Sequence, residues 1–255
     1  MRHAAIALLL LVAQGADPRL TFEVAAIKRS ANLDKGGSLG MLPGGRFRAV
    51  NFDAFTLVAF AYRTRPPRNL NGSQIVGAPD WLSSERYDIT AKISPELVER
   101  ARTDPQQTPK LVQALLEDRF KLTLHREVHN MPVYSLVVAR KAGTLGPRLR
   151  RSTVDCQQER STCGIRTVPG RLTAGRITLE TLAIMLSGPA GRLVFDRTGL
   201  AGSFDVDLEW SADQAPSDAP SIFAAVQEQL GLKLDFVREP VDVVVIDHVE
   251  RPTED

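Results

Sequence analysis

Short sequence patterns from the first half of the chain return, in the same order, in the second half. Four pairs of segments carry this repetition, and each pair has a similar arrangement of Pro, Gly, aromatic and aliphatic residues. The pairs are Pro43–Ala49 and Pro169–Ala174, Tyr87–Ile89 and Phe204–Val206, Pro109–Ala114 and Pro220–Ala225, and Pro132–Val138 and Pro240–Ile246. Self-similarity of this kind indicates a duplicated structural unit. The sequence therefore predicts two halves that share one order of helices and strands.

Residue periodicity predicts the same elements in each half: a strand, a helix, one or two strands, a second helix and a final hairpin. The first hairpin is expected to turn at Val128–Met131, and the second at a Pro turn before Val241. Hairpins pair their strands antiparallel, so the expected fold class is α+β, with helices packed on a mainly antiparallel sheet. The sequence leaves open whether the halves form two equivalent sheets or one continuous sheet.

Capping residues mark several of the predicted helix ends. Asp53, Thr178 and Ser221 each precede an apolar helical run, and their side-chain oxygens suit the N-cap position. Gly231 follows the last helix, where a left-handed residue commonly ends a helix. The Gly-containing stretch Asn32–Gly45 is predicted to be a loop, and it lacks the Gly-Lys-Ser/Thr ending of a phosphate-binding loop. No cofactor is therefore expected.

The N-terminus has the pattern of a secretory signal peptide. Arg2 is positive, Ala4–Val12 is a short apolar run, and Ala13–Gly15 offers small residues for cleavage. A buried first helix or strand is the alternative interpretation. No later segment approaches about 20 consecutive apolar residues, so no stable membrane span is expected. We therefore expect an exported protein, located in the periplasm or outside the cell.

These observations predict four regions in a chain of 255 residues. They are a signal peptide at 1–16, a first α+β half at 17–140, a linker with a disulfide loop at 141–168, and a second α+β half at 169–255. The net charge is only +2 and the Arg residues are scattered, so bulk electrostatics give no support to nucleic-acid binding.

Two cysteines, Cys156 and Cys163, are separated by six residues. In an exported protein such a pair is expected to form a disulfide that closes a small loop. A metal site is the alternative, but no His lies near them in the sequence. We expect the disulfide to stabilise a connecting segment rather than the fold as a whole.

The sequence contains no strong catalytic motif. His125, Glu127 and His129 alternate along a predicted strand and would share one face, which makes a metal site or a solvent-facing strand the two interpretations. Asp196–Gly199 is best interpreted as a turn after a short strand. His248 ends a Val-rich strand, and no Gly-x-Ser-x-Gly nucleophile elbow accompanies it.

Several stretches together resemble one known family. They are Phe22–Lys28, Gly77–Leu82, Arg86–Ile89, Leu115–Leu122, His125–Glu127, Met131–Tyr134, Asp196–Leu200 and Ile246–Pro252. In these stretches the chain is similar to an exported domain-of-unknown-function family, first described from Solibacter and expanded as paralogues in soil Acidobacteria. The family has no established activity and no known catalytic residues. Some relatives are fused to membrane metallopeptidases of the β-lactam-sensor type, whose His-Glu-x-x-His motif this chain lacks.

The resemblance and the signal peptide imply an extracytoplasmic sensing or interaction role. We therefore expect a non-catalytic module that binds a protein or a cell-envelope ligand, with open strand edges as the contact surface. One alternative is an exported hydrolase that uses His125, Glu127 or His248, and another is a purely structural surface protein. Convergence of these three side chains in one cleft would favour the hydrolase.

Overall fold

The computed structural model describes residues 20–31, 36–64, 69–104, 106–139, 144–158, 162–212 and 219–255. The predicted signal peptide at 1–16 lies outside these ranges. The described residues form two compact units: the first runs up to Val128 and includes Asp242–Asp255, and the second runs from His129 to Val241. These boundaries follow three-dimensional contacts, whereas the predicted halves 17–140 and 169–255 follow sequence repetition.

The first unit contains five strands and four helices that lie wholly within its described residues. The strands are β1 Val24–Arg29, β2 Ser38–Leu42, β3 Arg46–Asp53, β4 Ile75–Val76 and β5 Arg86–Lys92. The helices are α1 Ala54–Ala61, α2 Trp81–Ser84, α3 Pro95–Thr103 and α4 Gln107–Arg119, and Gly72–Gln74 forms a turn of 3-10 helix. The prediction of a loop from Asn32 to Gly45 was wrong for Ser38–Leu42. These residues form β2, because they pair with β3 across a Gly-rich turn.

The second unit also contains strands and helices. Its strands are β7 Leu149–Arg151, β8 Gly164–Val168, β9 Arg171–Ile177, β10 Val194–Asp196 and β11 Phe204–Glu209. Its helices are α5 Leu179–Ser187 and α6 Ile222–Leu230. Two longer strands, β6 Thr123–Val138 and β12 Leu232–His248, contain the boundaries between the units.

The predicted α+β class is confirmed. One sheet has the strand order β1-β5-β3-β2 and another has the order β7-β11-β9-β8, and every pair in both is antiparallel. A third sheet has the order β10-β6-β12-β4, with parallel pairing of β10 to β6 and of β4 to β12. Helices contact these sheets, for example α1 on β3 and α6 on β11. Within the described ranges, no helix has both the length and the apolar character required to cross a bilayer.

The prediction of a hairpin at the end of each half was wrong. Thr123–Val138 and Leu232–His248 are each one continuous strand, and no described residue in either strand has a positive φ angle. Each strand continues because its C-terminal portion has its own partner. Strand β6 pairs with β10 through Tyr134–Leu136, and β12 pairs with β4 through Val244 and Val245.

The short parallel strands take their partners from the opposite half of the sequence. In the first unit, Ile75 of β4 lies opposite Val244 of β12. In the second unit, Val194 of β10 lies opposite Tyr134 of β6. Each unit is therefore completed by a strand segment that the other half of the sequence supplies.

An unusual backbone feature occurs once in each antiparallel sheet. Asn51 in β3 and Arg176 in β9 have φ angles of 57° and 56°, in the left-handed region that non-Gly residues seldom adopt. The N–H of Asn51 donates to Oδ1 of Asp88 at 2.8 Å, and the N–H of Arg176 donates to Oδ1 of Asp205 at 3.1 Å. Both aspartates are central residues of the repeated triplet, so the repeated sequence corresponds to a repeated local structure.

The helix caps predicted at Asp53, Thr178 and Ser221 are confirmed, whereas Thr108, also predicted as a cap, lies inside α4. The side chains of Asp53, Thr178 and Ser221 accept hydrogen bonds from backbone N–H groups three residues later, at 2.7, 3.1 and 3.3 Å. Gly231 ends α6 with a φ of 69°. These contacts satisfy N–H and C=O groups that a helix end leaves without partners.

Each unit has its own apolar core. Ile27, Leu57 and Phe120 are fully buried in the first unit, and Leu182 and Phe204 are fully buried in the second. Burial of one such side chain contributes about 1.5–3 kcal/mol to folding. The cores therefore give each unit a framework that positions its surface residues.

Candidate functional site

The His125 side chain lies between two carboxylates. Its Nδ1 is 2.9 Å from Oδ1 of Asp247 on β12, and its Nε2 is 2.9 Å from Oε1 of Glu127. Residues 125 and 127 share a strand face because they are two positions apart. The neighbouring strand adds Asp247, which is 122 positions away in the sequence and was not predicted.

Both ring nitrogens of His125 are therefore engaged. The hydrogen bond to Glu127, and then the one to Asp247, raises the pKa of His125 above its usual value. The protonated ring donates to both carboxylates at once, which favours the charged form. A general base or a metal ligand needs a free ring nitrogen, and this arrangement provides none unless a carboxylate moves away.

The three residues of the hydrolase alternative do not form one cluster of hydrogen bonds. His248 is 2.9 Å from Glu250. It follows Asp247 directly, and adjacent residues of a strand project to opposite faces, so His248 points away from the face that carries Asp247. No group of three or more His, Cys, Asp or Glu side chains in the described ranges is arranged to hold a metal ion.

The Asp196–Gly199 motif forms a local turn. Oδ1 of Asp196 accepts from the Thr198 N–H at 2.9 Å and from the Thr198 hydroxyl at 2.7 Å. Arg197 pairs with Glu239, which also accepts from the Ser135 hydroxyl. The motif therefore connects β10 to its surroundings, as the turn interpretation predicted.

The predicted disulfide is present. Cys156 and Cys163 are bonded, with their Cα atoms 5.7 Å apart. Cys163 directly precedes β8, and the carbonyl oxygen of Thr162 approaches Gly175 of β9 so closely that a Cβ there would be only 1.8 Å away. The disulfide loop thus ends against β9 at a position that admits only glycine.

Residues that carry the family resemblance meet around Glu85. Arg251 donates to Oε1 of Glu85 through Nε at 3.0 Å and Nη2 at 2.9 Å, and its guanidinium lies 5.0 Å from the Trp81 ring centroid. Glu85 also accepts from the Tyr87 hydroxyl at 2.9 Å and from Arg29 at 3.0 Å. The Arg251 contact lowers the pKa of Glu85, and burial raises the pKa of Tyr87 to about 12.

The C-terminal segment also covers the outer edge of β1. Arg119 donates to the carbonyl of Ala25 at 2.8 Å and pairs with the side chain of Asp255. The N–H of Asp255 donates to the carbonyl of Ile27 at 3.1 Å. The N–H of Arg29 donates to the Glu254 carboxylate at 3.3 Å. Backbone groups that an edge strand would leave open are therefore occupied by the chain itself.

Strand β8 is also an edge strand, but unlike β1 it is exposed along its whole length. It pairs only with β9 among the described strands, and all five of its residues are exposed. Ile165 and Val168 are 40% and 58% exposed. On the far side of such a strand, alternate N–H and C=O groups are directed away from the sheet. Strand β8 is therefore a sheet edge with two exposed apolar side chains.

An open depression of about 250 Å³ in the second unit is lined by charged residues of β11 and of the segment that leads into β7. Three of its four charged lining residues make contacts within the fold. Asp205 holds the Arg176 N–H, Asp207 pairs with Arg171, and Arg148 pairs with Glu209. Asp205, Asp207 and Arg148 therefore serve the fold itself.

The sequence identified His125 and Glu127 but missed the contacts made by Asp247, Glu85 and Arg251. Each contact joins residues far apart in the chain, and a single sequence contains no signal for such pairing. Arg86–Ile89 and Ile246–Pro252 both carry the family resemblance and lie far apart in the sequence. In the structure, Tyr87 and Arg251 from these two stretches contact the same residue, Glu85.

A comparison with protein families gives a match over residues 55–249, described as a protein of unknown function (DUF3738). The matched region begins in α1, so it leaves out β1, β2 and β3. No curated protein and no solved structure showed significant similarity to the chain. Since the match covers well over half of the sequence, the chain belongs to the DUF3738 family.

Proposed function

We propose that the protein is a non-catalytic recognition module that acts outside the cytoplasm and binds an extended segment of a protein partner at strand β8. The exposed edge of β8 is the observation that carries this proposal. Addition of a partner strand to a sheet edge uses backbone hydrogen bonds for affinity and side-chain contacts for specificity.

The contrast with β1 supports the choice of β8. The outward carbonyls of Ala25 and Ile27 are occupied by Arg119 and Asp255, so β1 is protected from strand addition. Strand β2 is partly buried at its three central residues. Strand β8 combines full exposure with two apolar side chains, Ile165 and Val168, which a partner would cover.

Several observations support a location outside the cytoplasm. The sequence begins with a pattern typical of signal peptides. The disulfide between Cys156 and Cys163 is typical of proteins in oxidising compartments. The resemblance to exported acidobacterial paralogues, some fused to sensor-type metallopeptidases, is consistent with a role in envelope sensing or interaction.

We also propose that the two halves derive from a duplication. The antiparallel sheets have matching strand orders, and both contain a left-handed residue held by the aspartate of the repeated triplet. In each unit a short parallel strand pairs with a strand from the other half of the sequence. This pairing suggests an ancestor in which two copies of one half associated. In such a protein the framework of the two halves is alike, whereas their surface residues differ. A framework of this kind is compatible with a recognition role.

The test is site-specific photo-crosslinking in cells that produce the full chain. Benzoylphenylalanine replaces Thr167 on β8 and, as a matched control, Val24 on β1, which is 67% exposed. We expect one discrete protein adduct at 167 and none at 24. Ile165→Lys should abolish the adduct, because a charge at the contact opposes strand addition. Equal labelling at both positions, or no adduct at 167 across growth conditions, would overturn the proposal.

The hydrolase alternative gains no specific support from this geometry. Both nitrogens of His125 contact carboxylates, and His248 contacts Glu250.

A further inference from the structure

We propose a second binding surface in the second unit, which takes an acidic protein segment that carries a bulky apolar side chain. The surface consists of Tyr134, Phe223, Phe236 and Arg192, and we call it the aromatic patch. It depends on different residues from the β8 edge, so the two proposals stand or fall separately.

The aromatic patch is held together by ring contacts. The ring centroid of Tyr134 lies 5.2 Å from that of Phe223 and 6.0 Å from that of Phe236, and both contacts are edge-on. The guanidinium carbon of Arg192 lies 5.7 Å from the Phe236 ring centroid. Edge-to-face packing fixes the relative orientation of rings, so the patch is a preformed surface.

Two of these rings are exposed to solvent. Phe223 is 40% exposed and Phe236 is 59% exposed. The neighbouring residues supply the packing that the fold requires: Ile222 is buried in the first turn of α6, and Leu234 is buried two positions before Phe236. The core of the second unit is therefore complete without the exposed faces of these two phenylalanines.

The charge around the patch is positive. Within the described ranges, neither Arg192 nor Arg238, two positions after Phe236, pairs with a carboxylate; Arg238 donates to the carbonyl of Asn130. The acidic residues on either side of Phe236 in the sequence are already used, since Asp235 pairs with Lys233 and Glu239 pairs with Arg197.

A ligand for this surface therefore needs an apolar group to cover the rings and a negative charge to pair with the guanidinium groups of Arg192 and Arg238. Aromatic residues and Arg are the side chains that most often dominate binding energy at protein interfaces. A second copy of the chain is a poor occupant, because like surfaces that face each other would bring Arg192 close to its counterpart. An acidic segment with a central Phe or Trp meets both requirements.

The experiment titrates three short fluorescein-labelled peptides with the full exported chain and measures fluorescence anisotropy. The first peptide has a Phe flanked by Asp and Glu. The second has Ser in place of Phe, and the third has Lys in place of the acidic residues. We expect binding of the first alone, weakened at higher salt because the contact is partly ionic.

The variants Phe236→Ala and Arg192→Gln should each weaken binding of the first peptide by about tenfold or more, as expected for residues at the centre of a contact. Phe223→Ala provides a second test if Phe236→Ala folds poorly, and circular dichroism checks folding. Val24→Ala is the matched control on the first unit, and Ile165→Lys separates this surface from the β8 edge. Both controls should bind normally.

Three outcomes would overturn the proposal. The first is equal binding of the Ser or Lys peptide. The second is unchanged affinity in both Phe variants. The third is a different ligand: concentration-dependent dimerisation, or binding of chitohexaose, that is lost on Phe236→Ala would assign the patch to a second copy or to a polysaccharide.

Discussion

Removal of the Asp88 carboxylate should destabilise the first unit more than the equivalent change destabilises the second. Asp88 accepts the N–H of Asn51 at 2.8 Å in a partly buried setting, whereas Asp205 accepts the N–H of Arg176 at 3.1 Å in an exposed setting. A hydrogen bond to a charged group contributes about 1.5–3 kcal/mol, and solvent lowers that value. We expect losses of about 2 kcal/mol for Asp88→Ala and about 1 kcal/mol for Asp205→Ala.

The left-handed backbone makes this contact important. A non-Gly residue in that conformation costs roughly 1–2 kcal/mol, so Asn51 and Arg176 need a compensating interaction. Asp88→Asn keeps an acceptor oxygen without the charge. Its unfolding free energy should therefore fall between those of the wild type and Asp88→Ala.

The assay is urea unfolding followed by tryptophan fluorescence. The chain has two tryptophans, Trp81 in the first unit and Trp210 in the second. Trp210→Phe leaves a reporter for the first unit, and Trp81→Phe leaves one for the second. A loss of less than about 0.5 kcal/mol in the unfolding free energy of the first unit for Asp88→Ala, within the range of ordinary surface substitutions, would contradict this expectation. A larger loss for Asp205→Ala would also refute it.

Three further predictions concern other contacts. Phe120 is fully buried and meets Tyr87 edge-on at 5.5 Å, so Phe120→Ala should cost about 3–5 kcal/mol in the first unit by the same urea assay. Replacement of both cysteines by serine should cost at most about 2.5 kcal/mol in the second unit, as expected for closure of so short a loop, and no loss would show that the loop is already ordered. The pKa of His125, measured by NMR titration, should exceed the unfolded value of about 6.5, and Glu127→Gln or Asp247→Asn should lower it. Because the folded pKa is raised, the stabilisation should be complete below about pH 6.5 and disappear as pH rises through the folded pKa.

The local features of the fold were predictable because they depend on neighbouring residues. Asp53, Thr178 and Ser221 cap helices since a short polar side chain reaches the N–H groups of the next turn. The disulfide was predictable from two cysteines in a chain expected to be exported.

The hairpin predictions failed because Val128–Met131 and Pro240 were interpreted as turns. Proline removes one donor but keeps an extended φ, so a strand can pass through it when the missing N–H is not needed for pairing. The site prediction was incomplete for a related reason. His125 and Glu127 were visible as an alternation, but the partner strand that supplies Asp247 was not.

The amino-acid sequence alone determined the repetition, the α+β class, the helix ends and the cysteine pairing, because each depends on composition or on residues close together in the chain. The tertiary structure decided which strands meet. In it, β4 pairs with β12 and β10 pairs with β6, so each short strand has a partner from the other half of the sequence. The C-terminal residues cover β1, and β8 is exposed. Pairing between distant strands depends on the register and packing of whole surfaces, which no short segment encodes by itself.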